Sequence, residues 1–242
     1  MGHQYLSARI RGQTMKAMIL AAGRGERLRP LTDTLPKPLV CVSGKPLIVY
    51  HIERLAAAGI DEIVINHAWL GEKLVQQLGD GSRWGIQLHY SAEKSALETG
   101  GGIKHALPLL GDDAFLVING DVFMDDLPQD IAAGLAQISA GKLAHLWLVD
   151  NPSQHPYGDF PLHHGLVAAN RAEDKPALTF SGMGLYHPSL FDDTPETGFP
   201  LAPLLRQKMS SDLVSGSHYS GYWCDVGTIE RLEDLERRLQ AN

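Results

Sequence analysis

The segment Met18-Ile-Leu-Ala-Ala-Gly-Arg-Gly-Glu-Arg-Leu-Arg-Pro30 joins a short apolar run to a loop rich in glycine and arginine. The apolar residues predict a buried strand over residues 17–22. The glycines end that strand and let backbone N–H groups approach an anion closely. Arg24, Arg27 and Arg29 add three cations that match phosphate oxygens. The segment therefore predicts a phosphate-binding loop at the carboxyl end of the first strand.

The two commonest nucleotide-binding loops do not fit this segment. A dinucleotide-binding fingerprint needs a third glycine where Leu28 stands, and Pro30 follows at once. A P-loop needs Gly-Lys followed by Ser or Thr, but Pro46 and Leu143 follow the two Gly-Lys pairs of the chain. The loop is therefore expected to belong to another class of nucleotide-binding protein.

Composition excludes several other classes of function. The chain has 242 residues, 44% of them apolar, and a formal net charge of −7, which argues against a nucleic-acid surface. No apolar run reaches the roughly 18 residues that span a bilayer. Cys41 and Cys224 lie far apart, so free thiols and a cytoplasmic location are expected. Residues 1–14 lack hydrophobic periodicity and are interpreted as a leader, expression-derived or dispensable, ahead of a single domain over residues 15–242.

Apolar runs alternate with helical patterns along most of the chain. Strands are predicted over residues 17–22, 62–66, 86–90, 114–119, 144–149, 178–186 and 221–226. Helices are predicted over residues 47–58, 70–78, 103–110, 127–138, 201–208 and 228–239. This alternation predicts an α/β fold with a mostly parallel sheet, whose ligands bind at the carboxyl ends of the strands.

Two further segments suit a phosphorylated ligand. Pro36-Lys37-Pro38 is predicted to hold the lysine in a stiff, extended segment from which its ammonium projects; a solvated loop lysine is the alternative. Glu98-Thr-Gly-Gly-Gly102 precedes a predicted helix and would allow close approach of a base or ribose, unless it is simply a flexible loop.

Two aspartates are candidate metal ligands. Asp121 follows the apolar strand that ends in Asn119, and Asp225 lies where a strand meets the last helix. Mg²⁺ uses one or two carboxylates together with phosphate oxygens and water, so two acids at one sheet edge meet its needs. The alternatives are a helix cap for Asp225 and a turn residue for Asp121.

With these motifs together, the chain resembles the sugar-1-phosphate nucleotidyltransferases from Met15 almost to its end. The pairing of Leu20-Ala-Ala-Gly-Arg-Gly-Glu-Arg-Leu-Arg-Pro30 with Pro36-Lys37-Pro38 is highly specific for that family. Within the family, the sequence is most similar to the N-acetylmuramate α-1-phosphate uridylyltransferases of cell-wall recycling. That similarity rests on Asn66-His-Ala-Trp-Leu-Gly71, Glu98-Thr-Gly-Gly-Gly102, Asp150-Asn-Pro152, Gly158-Asp-Phe160 and Phe180-Ser-Gly182.

The resemblance implies a Rossmann-like, three-layer fold with a mixed, mostly parallel central sheet. It divides the domain into a nucleotide-binding part over about residues 15–125 and a sugar-binding part over about residues 126–242. It also implies transfer of a uridylyl group from UTP to a sugar 1-phosphate, with Mg²⁺, giving a UDP-sugar and pyrophosphate. No nucleic-acid or membrane partner is implied, and a monomer is compatible with the acidic chain.

The family motif, matched residue by residue, implies these roles. Nucleotide contacts fall on Ala21, Ala22, Gly23, Gly25, Glu26, Arg27, Lys37, Glu98, Thr99, Gly100, Gly101 and Asn119. Catalysis falls on Arg27, Lys37, Asp121 and Asp225, of which Asp121 and Asp225 are the metal ligands. Sugar contacts fall on Asp159, Ser181 and Gly182, and Arg24 and Arg29 receive no role.

Two alternatives to the uridylyltransferase interpretation stay open. One keeps the fold with another substrate pair, glucose 1-phosphate with dTTP or UTP, or mannose 1-phosphate with GTP. The other is a non-catalytic subunit that senses nucleotides, which predicts damage to the lysine or the metal acids. All of Arg27, Lys37, Asp121 and Asp225 are present, which favours an enzyme.

Overall fold

The computed structural model describes residues 15–95, 97–169 and 177–241. The leader predicted over residues 1–14 lies outside the described residues. Of the helices in the described ranges, none has the length and apolar composition that crossing a bilayer requires.

The described chain forms thirteen strands and seven α-helices. The strands are β1 Ala17–Leu20, β2 Cys41–Val42, β3 Lys45–Pro46, β4 Glu62–His67, β5 Gln87–Ala92, β6 Phe115–Asn119, β7 Val122–Met124, β8 Ala144–Val149, β9 Phe160–His163, β10 Leu166–Val167, β11 Ala177–Tyr186, β12 Val214–His218 and β13 Trp223–Asp225. The helices are α1 Leu31–Thr34, α2 Leu47–Ala57, α3 Gly71–Leu78, α4 Glu98–Leu110, α5 Ile131–Ser139, α6 Leu201–Met209 and α7 Ile229–Gln240.

Nine strands form one mixed sheet in the order β5-β4-β1-β6-β11-β8-β12-β10-β9. The first four strands of that order run parallel, as do β8 and β12, while β11 runs antiparallel to both of its neighbours. The register of β11 shifts between Phe180 and Met183, which makes a β-bulge. Two short ribbons, β7–β13 and β2–β3, stand beside the main sheet.

Two apolar clusters cover the two faces of the sheet and make three layers. Ile48, Ile52 and Leu55 of α2 pack on one face, together with residues of α3 and α5. Ile103 of α4 and Leu205 of α6 pack on the other face. The predicted α/β class and the Rossmann-like architecture are confirmed, because the fold consists of mostly parallel strands covered by helices on both faces.

The predicted start of α5 at residue 127 is wrong, since that helix begins at Ile131. The predicted start of α4 at residue 103 is also wrong. This helix begins at Glu98, so the three glycines lie inside its first turns and not in a loop before it. A Cβ at Gly100 would lie 2.3 Å from the Phe199 ring, and one at Gly102 would lie 2.7 Å from Glu93 Oε1. Close packing therefore outweighs the low helix propensity of glycine here.

Candidate active site

A cleft of about 270 Å³ opens at the carboxyl end of β6, beside the bulge in β11. Its lining includes the predicted site residues Arg27, Asn119, Asp121, Asp159, Ser181, Gly182 and Asp225. Clefts that bind small molecules begin at about 300 Å³, so this one is near the lower end of that range. The structure thus brings the predicted phosphate, metal and sugar residues together.

Backbone pairing brings Asp121 and Asp225 to one place. Asp225 pairs with Val122 in the β7–β13 ribbon, and the Val226 N–H donates to the Asp121 carbonyl at 2.8 Å. Gly120 packs directly on β1, where a Cβ would lie 2.7 Å from the carbonyl oxygen of Leu20. Two acids 104 positions apart in the sequence therefore meet because two strand ends are joined by hydrogen bonds.

Lys37 lies next to the cleft and contacts one of its lining residues, Asp121. Its Nζ lies 2.7 Å from Asp121 Oδ2, and only 9% of its side chain is exposed, against 37% for Asp121. The predicted extended segment is wrong, because Lys37 begins a 3-10 turn, Lys37–Leu39, behind Pro36. The lysine stem packs on Gly25, where a Cβ would lie 2.9 Å from Lys37 Cβ. Gly25 also has φ +69°, so both space and conformation favour glycine there.

Arg231, on α7, pairs with the second aspartate. Its Nη1 lies 2.6 Å from Asp225 Oδ2, and both side chains are mostly buried. A Cβ at Gly227 would lie 2.5 Å from Arg231 Nη2, 2.9 Å from Asp225 Oδ1 and 3.1 Å from Arg27 Nη2. The two guanidinium groups and the carboxylate therefore converge over Gly227. Within the described ranges, Arg27 makes no ion pair, whereas Lys37 and Arg231 each hold a carboxylate.

The acid pair suits a divalent cation. Asp225 Oδ1 is buried and has no hydrogen-bond partner among the described residues, while more than a third of the Asp121 side chain is exposed to the cleft. Mg²⁺ binds one or two carboxylates and completes its shell with substrate phosphate oxygens and water. The donor set therefore fits the predicted ion, and ligation by Asp121 and Asp225 stays a prediction.

A buried polar pair braces the start of the arginine loop, and sequence reasoning missed its role. The Ala21 N–H donates to Asn66 Oδ1 at 2.8 Å, and Asn66 Nδ2 donates to Glu93 Oε1 at 2.7 Å. Glu93 Oε2 in turn accepts from the Leu97 N–H, just before α4. The ends of β1, β4 and β5 are thus tied to the start of α4. Polar residues at the ends of β4 and β5 were the available sequence signal.

The remaining predicted nucleotide residues surround this brace. Ala22 and Gly23 follow Ala21 on the loop, and a Cβ at Gly23 would meet nothing within 4 Å. Glu26 begins a 3-10 turn, Glu26–Leu28, with its side chain largely exposed. Glu98 and Thr99 open α4, while Gly101 packs against the backbone of residues 197–199. Gly100 and Gly101 therefore face a neighbouring loop, so contacts to the base from Glu98, Thr99, Gly100 and Gly101 stay a prediction.

The predicted sugar residues differ in what they can offer. Ser181 is fully buried, and its Oγ donates to the Trp147 carbonyl at 2.7 Å, so its side chain supports the bulge. Gly182 has φ +81°, and a Cβ there would lie 2.7 Å from Asn119 Nδ2. Asp159 Oδ2 accepts from the Phe180 N–H at 2.8 Å. Sequence reasoning missed His155 and Trp223, which also line the cleft.

Burial favours the neutral form of two ionisable side chains near Asp121 and Asp225. Burial raises the pKa of Cys224 to about 11, so its thiol is not a ready nucleophile. Burial lowers the pKa of His51 to about 4, and its Nε2–H donates to the Val122 carbonyl at 2.8 Å. Neither residue supplies charge at neutral pH.

Arg24 and Arg29 lie outside the cleft lining. The Arg24 guanidinium carbon lies 3.9 Å from the centroid of the Trp69 ring, and Arg29 Nε lies 2.9 Å from Asp33 Oδ1. Trp69 Nε1 also donates to the Thr32 carbonyl at 3.2 Å. Arg24 therefore contacts a residue outside the loop, whereas the pair of Arg29 is local and half-exposed.

Several known proteins are similar to this chain in sequence or in fold. The sequence profile of the nucleotidyl transferase family matches residues 16–242. An N-acetylmuramate α-1-phosphate uridylyltransferase from Neisseria meningitidis serogroup B is 52% identical over 92% of this chain and 97% of its own. An enzyme of the same name from Caulobacter vibrioides is 33% identical, over 92% of this chain and 96% of its own. A candidate glucose-1-phosphate thymidylyltransferase from Bacillus anthracis shares the fold, with a TM-score of 0.81 and 21% identity over 94% of this chain and 96% of its own.

Proposed function

The chain belongs to the nucleotidyl transferase family, and we propose that it transfers a uridylyl group from UTP to N-acetylmuramate α-1-phosphate. The products are UDP-N-acetylmuramate and pyrophosphate. The observation that carries the proposal is the charge arrangement of the cleft: two ion pairs, Lys37–Asp121 and Arg231–Asp225, beside an arginine, Arg27, that makes no ion pair within the described ranges. The identity to the Neisseria enzyme, over nearly the whole of both chains, supports the choice of base and sugar.

The reaction needs little covalent help from the protein. An oxygen of the sugar phosphate attacks the α-phosphorus of UTP, a new P–O bond forms, and the bond to the β-phosphate breaks to release pyrophosphate. The attacking oxygen is already anionic at neutral pH, so no strong general base is required. Catalysis consists of aligning two anions and stabilising the charge that develops.

Arg27 and Lys37 are proposed to bind different phosphate groups of the substrates. Arg27 is free to bind the β- and γ-phosphates, because Asp225 already has Arg231 as its partner. The Lys37 ammonium pairs with the Asp121 carboxylate in the absence of substrate. When the substrates bind, the ammonium instead contacts the α-phosphate of UTP and the phosphate of the incoming sugar. Mg²⁺, when bound by Asp121 and Asp225, neutralises phosphate charge. Asn119 lies beside Asp121 and completes this side of the cleft.

The nucleoside is expected at the end of β1. Asn66 fixes the Ala21 amide, so the backbone of Ala21, Ala22 and Gly23 is held ready for the base and ribose. Muramate is a sugar of the bacterial cell wall, so the proposed reaction is a step in peptidoglycan recycling. Such recycling places the enzyme in the cytoplasm, and Cys41 and Cys224 are free thiols in agreement with that.

A matrix of substrates tests this proposal. Pyrophosphate release is measured with UTP, dTTP, GTP and ATP, each against the 1-phosphates of N-acetylmuramate, N-acetylglucosamine, glucose and mannose. We expect the highest kcat/KM for UTP with N-acetylmuramate 1-phosphate, and loss of activity in EDTA that Mg²⁺ restores. A preference for another pair would keep the reaction class and overturn the substrate. No release with any pair would overturn the enzyme.

A further inference from the structure

The loop over residues 151–159, which joins β8 to β9, forms one wall of the cleft and is held in a fixed shape. Asn151 Nδ2 donates to the Ala177 carbonyl at 2.8 Å, and Asn151 Oδ1 accepts from Thr179 Oγ1 at 2.8 Å. At Gly158, φ is +61° and a Cβ would lie 2.6 Å from Asn151 Oδ1. Side chains on this loop are therefore presented to the cleft by a rigid support.

Asp159 holds His155 in place on this loop. His155 Nε2 lies 3.0 Å from Asp159 Oδ1, and the other oxygen of Asp159 accepts from the Phe180 N–H. Both carboxylate oxygens of Asp159 are thus engaged within the protein, whereas His155 lines the cleft and is 44% exposed. The second ring nitrogen of His155 has no partner on Asp159 and is left for a ligand that accepts a hydrogen bond, whereas the carboxylate of Asp159 can only accept hydrogen bonds and would not bind an anion.

The charges of the cleft show what His155 can recognise. Three carboxylates line the cleft, and each already faces a partner: Asp121 faces Lys37, Asp225 faces Arg231 and Asp159 faces His155. Arg27 and His155 are the basic side chains of that lining within the described ranges. Arg27 lies at the Asp225 end, where its guanidinium reaches Gly227. A sugar that carries its own carboxylate needs a hydrogen-bond donor in this lining, away from the phosphates. Among the lining residues, His155 is placed to supply that donor.

We propose that His155 binds the lactyl carboxylate of the sugar substrate and so selects muramate over the parent glucosamine. N-acetylmuramate differs from N-acetylglucosamine only by a lactyl ether that ends in a carboxylate. Nε2 of His155 faces Asp159, which leaves Nδ1 for the substrate, and a ring with hydrogen on both nitrogens donates from Nδ1 to the lactyl carboxylate. Asp159 is then a positioning residue. This inference rests on the proposed function, because it presupposes muramate as the substrate.

The test compares two sugars in His155→Gln, His155→Arg and the wild type. Loss of a hydrogen bond to the charged lactyl carboxylate predicts that His155→Gln lowers kcat/KM for N-acetylmuramate 1-phosphate by about 10- to 100-fold. The same variant leaves the kcat/KM for N-acetylglucosamine 1-phosphate unchanged or, if this sugar is not turned over, its Ki as an inhibitor. His155→Arg supplies another hydrogen-bond donor at this position and retains most of the preference for muramate. His163→Gln, on the neighbouring strand β9, is the matched control and alters neither value.

A substrate analogue checks the partner of His155. The analogue is N-acetylmuramate 1-phosphate with its lactyl carboxylate converted to an amide. With the wild type, we expect its kcat/KM to be lower than that of the natural substrate by the same factor. We expect His155→Gln to leave the kcat/KM of this analogue unchanged. If His155→Gln keeps the wild-type preference for muramate, or lowers kcat/KM equally for both sugars, the inference is overturned and the proposed function stands. A wild-type enzyme without any preference for muramate overturns the proposed function, and the inference with it.

Discussion

Lys37→Met isolates the charge of the lysine from its packing. The methionine side chain replaces the stem that lies against Gly25, and only the ammonium, 2.7 Å from Asp121 Oδ2, is lost. Removing one donor that stabilises transition-state charge costs about 10²- to 10³-fold in kcat, or about 2.7–4 kcal/mol. The stability cost is expected to be about 1 kcal/mol or less, because the freed Asp121 carboxylate is 37% exposed and stays hydrated.

Two measurements separate these effects. Steady-state pyrophosphate release gives kcat and KM, and urea denaturation gives the free energy of unfolding. Lys45→Met is the matched control, because Lys45 Nζ also pairs with a carboxylate, Glu53 Oε2 at 2.6 Å, on a half-exposed surface outside the cleft lining. It is expected to leave kcat unchanged.

The reasoning about Lys37 is refuted by one of two results. A kcat within about threefold of wild type would mean that the ammonium does not stabilise the transition state. A rise in KM with unchanged kcat would mean that it binds substrate and transition state equally.

Three further predictions concern the two aspartates, Arg231 and the buried His51. Asp121→Asn and Asp225→Asn are each expected to abolish pyrophosphate release while circular dichroism stays native; activity near wild type would contradict the metal assignment. Arg231→Gln is expected to lower the free energy of unfolding by about 1–3 kcal/mol, because a mostly buried carboxylate loses its partner. The loss should shrink in an Asp225→Asn background, and additive losses in urea denaturation would argue against the coupling. Because burial lowers the pKa of His51 to about 4, the unfolded chain takes up a proton between pH 6.5 and 4 that the folded chain refuses. Stability should therefore fall through that window as pH falls, by on the order of 3 kcal/mol from this group, and His51→Gln, which keeps a donor for the Val122 carbonyl, should flatten that part of the profile. An unchanged slope in the variant would contradict it.

The ends of the strands could be predicted from the sequence, and so could the identity of the side chains that lie there. Asp121 and Asp225 could be predicted as neighbours because each lies at or just after the end of an apolar strand, and strand ends meet at one edge of a sheet. Arg27 and Lys37 could be named as candidates because glycine and proline mark the loops that carry them. For these residues, local sequence carries the information about position.

The sequence did not predict the role of a side chain where that role depends on a partner from a distant part of the chain. Arg231 lies on a helix whose pattern gives no sign that one of its arginines turns back to a strand-end acid. Asn66 and Glu93 acquire their role only when β1, β4 and β5 are neighbours. His155 looked like one of eleven unremarkable histidines until Asp159 was seen to hold it. Likewise, the glycines of α4 looked like a loop because the rings and carboxylates that crowd them come from elsewhere in the chain.

The central claim, uridylyl transfer to muramate, is tested most directly by competition in one vessel. The protein is incubated with Mg²⁺, equal concentrations of four nucleoside triphosphates, and equal concentrations of the 1-phosphates of N-acetylmuramate, N-acetylglucosamine, glucose and mannose. Mass spectrometry then identifies the nucleotide sugars formed. The proposed site predicts UDP-N-acetylmuramate as the dominant early product. A dominant product with another base or another sugar would contradict it.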